Sequence, residues 1–339
     1  MQYYIMKSRD IRDNLATEQY LMNSPKIKLP MMLFYIEKPC IIVGRNQNTV
    51  EEINQAYCQE HDITVTRRLS GGGAMYQDLG NLCFSMIMPA DQARFGNFAQ
   101  LVQPVLLALH RMGAKKATVT GRNDIEIAGK KFSGNSMYTR QGRTFSHGTL
   151  MYRVDTTAVA QALRVPHDKI ASKGIKSVRS RVTNIEPYLD RQYRGLSTDQ
   201  FRDELVKQIW QVGDLGQIKK AAYELSAADR NAIAELRRRF YDNWDWVYGR
   251  SPMFTVQKRR HFTAGTIDAR FLVEDGYIQS VKIYGDFFGT RDVVEVAEAL
   301  KDVPYQPAAI SRTLQQLKLN DYFMGIPQNE VIELLAQQH

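Results

Sequence analysis

A chain of 339 residues with 44% hydrophobic and 24% charged residues can bury the cores of two domains, which excludes a wholly disordered polymer. It has no run of about eighteen apolar residues and no basic start leading into an apolar stretch after Met1, so no membrane or leader is expected and the compartment is cytoplasmic. The net charge of +9 is uneven: Arg250 to His339 hold 10 Lys+Arg against 11 Asp+Glu, leaving 35 against 25 before them, a field that suits a polyanionic ligand or an acidic protein.

Along the chain, a short strand near Tyr3–Lys7 precedes a helical stretch over Ile11–Met22 and strands at Met31–Ile36 and Cys40–Val43. Glu51 to Glu60 reads as one helix, Asp62–Thr66 as a β-branched strand, and Asn81–Met88 as a largely buried one. Phe95, Phe98, Leu101, Val102, Val105, Leu106, Leu109 and Met112 fall at helical spacing, with Gly113 as a stop. Pro104 inside that pattern either kinks the helix or opens a shorter one. Arg164 to Arg194 is basic and aperiodic, as in a long functional or mobile loop. Helices return near Thr198–Val212 and Ala227–Phe240. Beyond Ser251-Pro252, strands at Phe254–Val256, Phe262–Val273 and Tyr277–Tyr284 precede helices near Val293–Leu300, Pro307–Leu317 and Asn329–Gln337. This mixture predicts an α+β fold with a domain edge near residue 248: 1–248 as the larger domain, 249–339 as a small α+β domain.

The most informative stretch is Arg67-Arg68-Leu69-Ser70-Gly71-Gly72-Gly73-Ala74-Met75-Tyr76, followed by Asp78-Leu79-Gly80-Asn81. Adjacent glycines allow positive φ and let backbone N–H groups approach an anion. An ordinary glycine turn after a strand is the alternative. A second motif, Gly121-Arg122-Asn123-Asp124 through Lys131-Phe132-Ser133-Gly134, reads as a hairpin turning at Ala128-Gly129-Lys130. Lys131 just past that turn can offer a compact charge to a phosphate, whereas Lys130 suits a solvated role.

Together these stretches resemble the lipoate–protein ligases of the wider biotin/lipoate protein ligase family. Gly44-Arg45-Asn46-Gln47-Asn48, His147-Gly148-Thr149-Leu150 and Lys176 through Asn184 extend the resemblance, and Ile283 through Gly289 carries it into the C-terminal domain. The resemblance implies a catalytic domain with a central mixed sheet and a small accessory domain. It also implies two reactions. Lipoate attacks the α-phosphate of ATP, with Mg²⁺ assisting, to give lipoyl-AMP and pyrophosphate. A lysine amine of an acceptor then displaces AMP to form an amide. Expected acceptors are E2 subunits of 2-oxoacid dehydrogenase complexes and the glycine cleavage H protein, with no tightly bound cofactor. By the same resemblance Lys131 is the catalytic residue. Arg68, Gly73, Ala74, Met75 and Tyr76 join it in binding the adenylate. Gly71, Gly72, Asn81, Asn123, Asp124, His147, Lys176, Ser180 and Arg181 are further candidates. Asp124 is the candidate ligand of Mg²⁺ or else a turn cap, and His147 borders the lipoate pocket or else caps a turn. Leu69, Phe84, Met86 and Phe132 fit either an apolar tunnel or plain core.

Three rivals stand beside this reading. An octanoyl or lipoyl amidotransferase on the same fold needs a reactive thiol, yet Cys40 and Cys83 sit in apolar strands and none of the three cysteines has a histidine beside it. A biotin ligase shares the Gly-Arg-Asn-Asp stretch but not Lys-Phe-Ser-Gly. A non-catalytic module binding lipoyl-adenylate or nucleic acid would fit the charge. Nucleic acid is not expected, because the chain carries no zinc finger and no aromatic RNA-binding signature. Acceptor identity, lipoate against octanoate, a separate partner protein and oligomeric state are not legible in the sequence.

Overall fold

A computed structural model of the protein describes residues 1–93, 96–121, 123–164, 182–248, 255–274 and 276–337. They pack as two compact units. One takes Met1–Ile42, Glu52–Arg67 and Met75–Val247, and the other takes Val43–Glu51, Arg68–Ala74 and Tyr248–His339.

The first unit is built on a mixed seven-stranded sheet in the order β1-β2-β6-β10-β9-β8-β7. Its strands are β1 (Gln2–Ile5), β2 (Met31–Tyr35), β6 (Asn81–Pro89), β7 (Thr118–Thr120), β8 (Asp124–Ile127), β9 (Lys130–Arg140) and β10 (Arg143–Met151). β1 and β2 run parallel, so the chain crosses over between them through the helix Ile11–Asn23. Every other pair in this sheet is antiparallel. All five residues of β2 and the first seven of β6 are buried, the continuous burial expected of strands covered on both faces. Leu15, Leu21 and Met22 of the helix meet Met31, Leu33, Cys83 and Ile87 of these strands in one core. A smaller sheet, β4-β3-β5, is formed by β3 (Cys40–Val43), β4 (Thr64–Arg67) and β5 (Met75–Gln77).

In the second unit, β11 (Val256–Phe262), β12 (Gly265–Glu274) and β13 (Tyr277–Gly285) make an antiparallel sheet. Phe271, Ile283 and Phe287 pack with Ile310, Leu314 and Leu335 from the terminal helices. Lys258 ties the last helix down: its Nζ donates to the Leu335 carbonyl at 2.6 Å and lies 4.8 Å from the ring centres of both Phe271 and Tyr305.

Four local expectations are corrected. Glu51–Glu60 is two short helices, Thr49–Glu52 and Gln55–Glu60, because the Asn54 side chain caps the second by accepting from Tyr57 N; a capping amide competes with helix continuation. The helix Phe98–Arg111 begins well before Pro104, with Asn97 as its cap, so proline neither opens it nor ends it. Ala227–Leu236 gives way to a π-helical turn over Arg237–Tyr241, where Arg237 binds Asp13 and Asp242. Phe262–Val273 is not one strand: the chain reverses between Phe262 and Gly265, which pair with each other at a φ of 140° for the glycine. Among the described residues no helix is long and apolar enough to cross a membrane.

Candidate active site

Lys131 is the second residue of β9, just past the turn at Ala128-Gly129, and its Nζ lies 2.7 Å from Asp124 Oδ1 on β8. Strand alternation alone would place Lys131 and Gly134 on opposite faces. A bulge changes this. Ile125 pairs with Ser133 while Glu126 pairs with Lys131, leaving the fully buried Phe132 as the extra residue. The rephased lysine then lies along Gly134, where a Cβ would come within 2.9 Å of Lys131 Nζ. Asp124 faces Gly134 in the register, so the glycine gives the ion pair its room. Asp124 is therefore paired with lysine across a strand and is not a turn cap.

The two adjacent strands are stitched by a pair of asparagines. Asn135 N donates to Asn123 O at 2.9 Å, and each side-chain amide donates to the other's carbonyl oxygen. Asn135 Oδ1 is buried without a hydrogen-bond partner among the described residues. It occupies the space a side chain at Gly148 would need, 2.0 Å from the Cβ position. Thr183 is tied here too: its N donates to the Lys131 carbonyl at 2.9 Å. Lys176, Ser180 and Arg181 lie outside the described residues.

His147 stands in the middle of β10, between Ser85 and Ser136, and caps no turn. Its Nδ1 is 3.1 Å from Glu18 Oε2. Glu18 is buried on the first helix and also accepts from Tyr35 at 2.5 Å and from Ser85. Sequence reading missed Glu18, since nothing local separates it from the solvated acids of an amphipathic helix. Asn81, buried at the start of β6, donates to Gln77 Oε1 and Cys83 Sγ, both at 3.3 Å. Next to them Glu37 is buried and its pKa is pushed up to about 8 by desolvation. Burial, reinforced by Glu37, also drives the Cys83 thiol well above its ordinary range, so it holds no thiolate for a thioester mechanism.

The glycine run divides its labour. Arg68 is 2% exposed, and its Nη2 donates to the carbonyls of Gly71 and Gly73 at 2.8 Å each. The loop is thus wrapped around a guanidinium. Gly72 alone of the three has positive φ, at 91°, and its carbonyl fills the space a side chain at Gly44 would take. A Cβ on Gly71 would come within 2.6 Å of the Phe287 carbonyl oxygen, whereas one on Gly73 meets nothing within 4 Å. Gly71 and Gly72 therefore serve close packing, whereas Gly73 has free space on the side a Cβ would take. Ala74 follows it, and Met75 and Tyr76 continue into β5 opposite Ile42 and Ile41. Arg67 does not join Arg68: its Nε and Nη2 donate to the carbonyls of Trp246 and Val247. Among the described residues no three acidic, histidine or cysteine side chains converge as a metal cluster.

Residues 10–210 match the lipoyl protein ligase A/B catalytic domain, and residues 251–335 match the C-terminal domain of bacterial lipoate protein ligases. The chain is 43% identical to the lipoate–protein ligase LplJ of Bacillus subtilis, covering 96% of this chain and 97% of the relative. Lipoate–protein ligase 1 of Staphylococcus aureus is 41% identical, with 95% and 96% covered. Among solved structures, LipL1 of P. falciparum in complex with lipoate shares the fold at a TM-score of 0.77 and 22% identity, over 99% of both chains. A bipartite lipoate protein ligase of Thermoplasma acidophilum has a TM-score of 0.62 at 25% identity, covering 75% of this chain and 98% of that one. Two family models that together cover most of the chain and relatives 43% and 41% identical over nearly its full length lead to one assignment: the chain belongs to the lipoate–protein ligase family.

Proposed function

We propose that this protein activates lipoate with ATP and transfers the lipoyl group to lysine side chains of acceptor proteins. The observation that carries the reading is the Lys131–Asp124 pair, set by the bulge at Phe132 against Gly134. In the first step the lipoate carboxylate oxygen attacks the α-phosphorus of ATP and pyrophosphate leaves, forming lipoyl-AMP. Two anions must meet, and a half-exposed ammonium offsets their repulsion while exchanging Asp124 for phosphate oxygens. No protein nucleophile is required, since phosphoryl chemistry of this kind rests on position and charge. In the second step an acceptor amine attacks the acyl carbon, AMP leaves with the bonding pair, and the amine releases a proton. Lys131 then stabilises the oxyanion.

Arg68, Gly73, Ala74, Met75 and Tyr76 bind the nucleotide part in this reading, Gly73 where no side chain stands in the way and Arg68 by holding the loop's shape. Asp124 fits Mg²⁺ arriving with ATP, because that ion commonly uses one or two carboxylates beside substrate phosphates and the Asp124 side chain keeps 32% of its surface exposed. His147, set by Glu18, borders the pocket for the apolar acid. The acceptors are E2 lipoyl domains and the glycine cleavage H protein, and the reaction belongs to the cytoplasm. The buried, protonated Cys83 weighs against transfer through a thioester. The test is incubation with lipoate, MgATP and an apo E2 lipoyl domain, read by the acceptor's mass.

A further inference from the structure

A cavity of about 630 Å³ opens in the first unit at a place given no role above. Its wall includes Arg9, Lys38, Leu79, Gly80 and Arg153, and it continues onto Ser197–Asp199, the start of the helix Thr198–Trp210. Leu79 is 53% exposed, one of few large apolar side chains so presented. An apolar side chain inside a polar, charged rim is the anatomy of a protein-binding patch.

The charges around Leu79 are of one dominant sign. Among the lining residues, Arg9, Lys38 and Arg153 stand against one carboxylate, Asp199, which Arg9 binds through both oxygens at 2.8 and 2.6 Å; Glu186 lies beside Arg153 outside the lining. Lys38 is exposed and makes no ion pair among the described residues. Arg153 is 55% exposed and only loosely paired, 3.6 Å from Glu186. The walls are preorganised. Thr198 Oγ1 donates to the Leu79 carbonyl at 2.6 Å, and a reciprocal Ser197–Gln200 cap fixes the helix start behind it.

The cavity lies at the same sheet end as the catalytic lysine. Gly80 O accepts from both Tyr152 N and Arg153 N, where β10 ends beside the start of β6. Val154 is bracketed by the Asn184 side chain, through N at 2.9 Å and O at 3.1 Å. Asn184 follows Thr183, whose N–H donates to the Lys131 carbonyl. Two peptide bonds, the Asn184 side-chain bridge to Val154 and one backbone hydrogen bond thus connect the rim at Arg153 to Lys131.

We infer that this patch docks the acidic face of the acceptor protein domain whose lysine receives the acyl group. The inference rests on the ligase reading and adds where the second substrate sits. A small anion would call for buried, converging donors, whereas exposed cations spread around a protruding leucine suit carboxylates on a protein surface. The patch shares its sheet end with Lys131, and in this reading an acceptor held there presents its lysine at that end.

The experiment uses the full chain and an apo E2 lipoyl domain, and compares Lys38→Glu and Leu79→Ser with the unsubstituted protein. ATP–pyrophosphate exchange reports adenylate formation, and acceptor titration reports the KM of the second step. Exchange stays unchanged in both variants, while the acceptor KM rises about tenfold in Lys38→Glu and loses part of its salt dependence. Lys38→Gln, which only removes the charge, gives an intermediate KM. Unaltered exchange with unaltered acceptor KM in all three variants would overturn the docking site alone. Absence of exchange in the unsubstituted protein would overturn the ligase reading and the docking site with it.

Discussion

The Lys131 ammonium meets the Asp124 carboxylate of the adjacent strand at 2.7 Å, beside a bulge in which β9 carries Phe132 as an extra residue. In the proposed reaction this ammonium offsets the repulsion between two anionic substrates, and Asp124 holds it in their absence.

Replacing Lys131 by alanine removes that charge and lowers ATP–pyrophosphate exchange by about 10²–10³-fold. Arginine restores only part of the rate, since a planar fork does not replace a compact ammonium. Thermal unfolding separates a lost charge from a lost fold, and both variants melt near the unsubstituted protein.

Gly134→Ala tests the room rather than the charge. Its methyl group would stand 2.9 Å from Lys131 Nζ and 3.1 Å from Cε, so the flexible lysine end must move. The expected result is a loss of exchange of about tenfold or more with little change in stability, as misplacement by an ångström weakens a positioned group.

Gly148→Ala has the opposite signature. The new Cβ would meet Asn135 Oδ1 at 2.0 Å and the Phe84 ring at 2.7 Å, both buried. Overpacking of this kind costs about 1–3 kcal/mol or more, measured as a lower urea midpoint.

Glu37 makes stability depend on pH. Its ordinary pKa of 4.5 rises to about 8 in the fold, so between those values the folded state keeps a proton that the unfolded state has released. Stability therefore falls as pH rises from about 4.5 to about 8, by at most ~1.4 kcal/mol per unit. Glu37→Gln flattens that slope, and urea unfolding at pH 5, 6.5 and 8 measures it.

Cys83→Ala leaves both half-reactions intact if no thioester forms. Its thiol is buried and donates to Gln77 Oε1 at 2.7 Å. A loss of acceptor labelling with normal adenylate formation would contradict that role.

Much of this was legible in the residues. The strand patterns of Met31–Ile36 and Asn81–Met88 and the turn before Lys131 follow from apolar runs and glycine chemistry, and the structure contains them. The bulge was not, because period-two alternation carries no sign of the skipped Phe132 and puts Lys131 and Gly134 on opposite faces. Glu18 was equally hidden: its partners Tyr35, Ser85 and His147 are between 17 and 129 residues away in the chain. Three consecutive glycines looked alike in sequence. Only packing separates Gly71 and Gly72, pressed against neighbouring atoms, from the open Gly73.

The central claim is tested most directly by mixing the protein with lipoate, MgATP and an apo E2 lipoyl domain, then weighing the acceptor and assaying for AMP. A single lipoyl adduct on one lysine, formed only with ATP and releasing one AMP per adduct, is the predicted result. An unmodified acceptor, or one acylated without ATP from an octanoyl carrier protein, would contradict it.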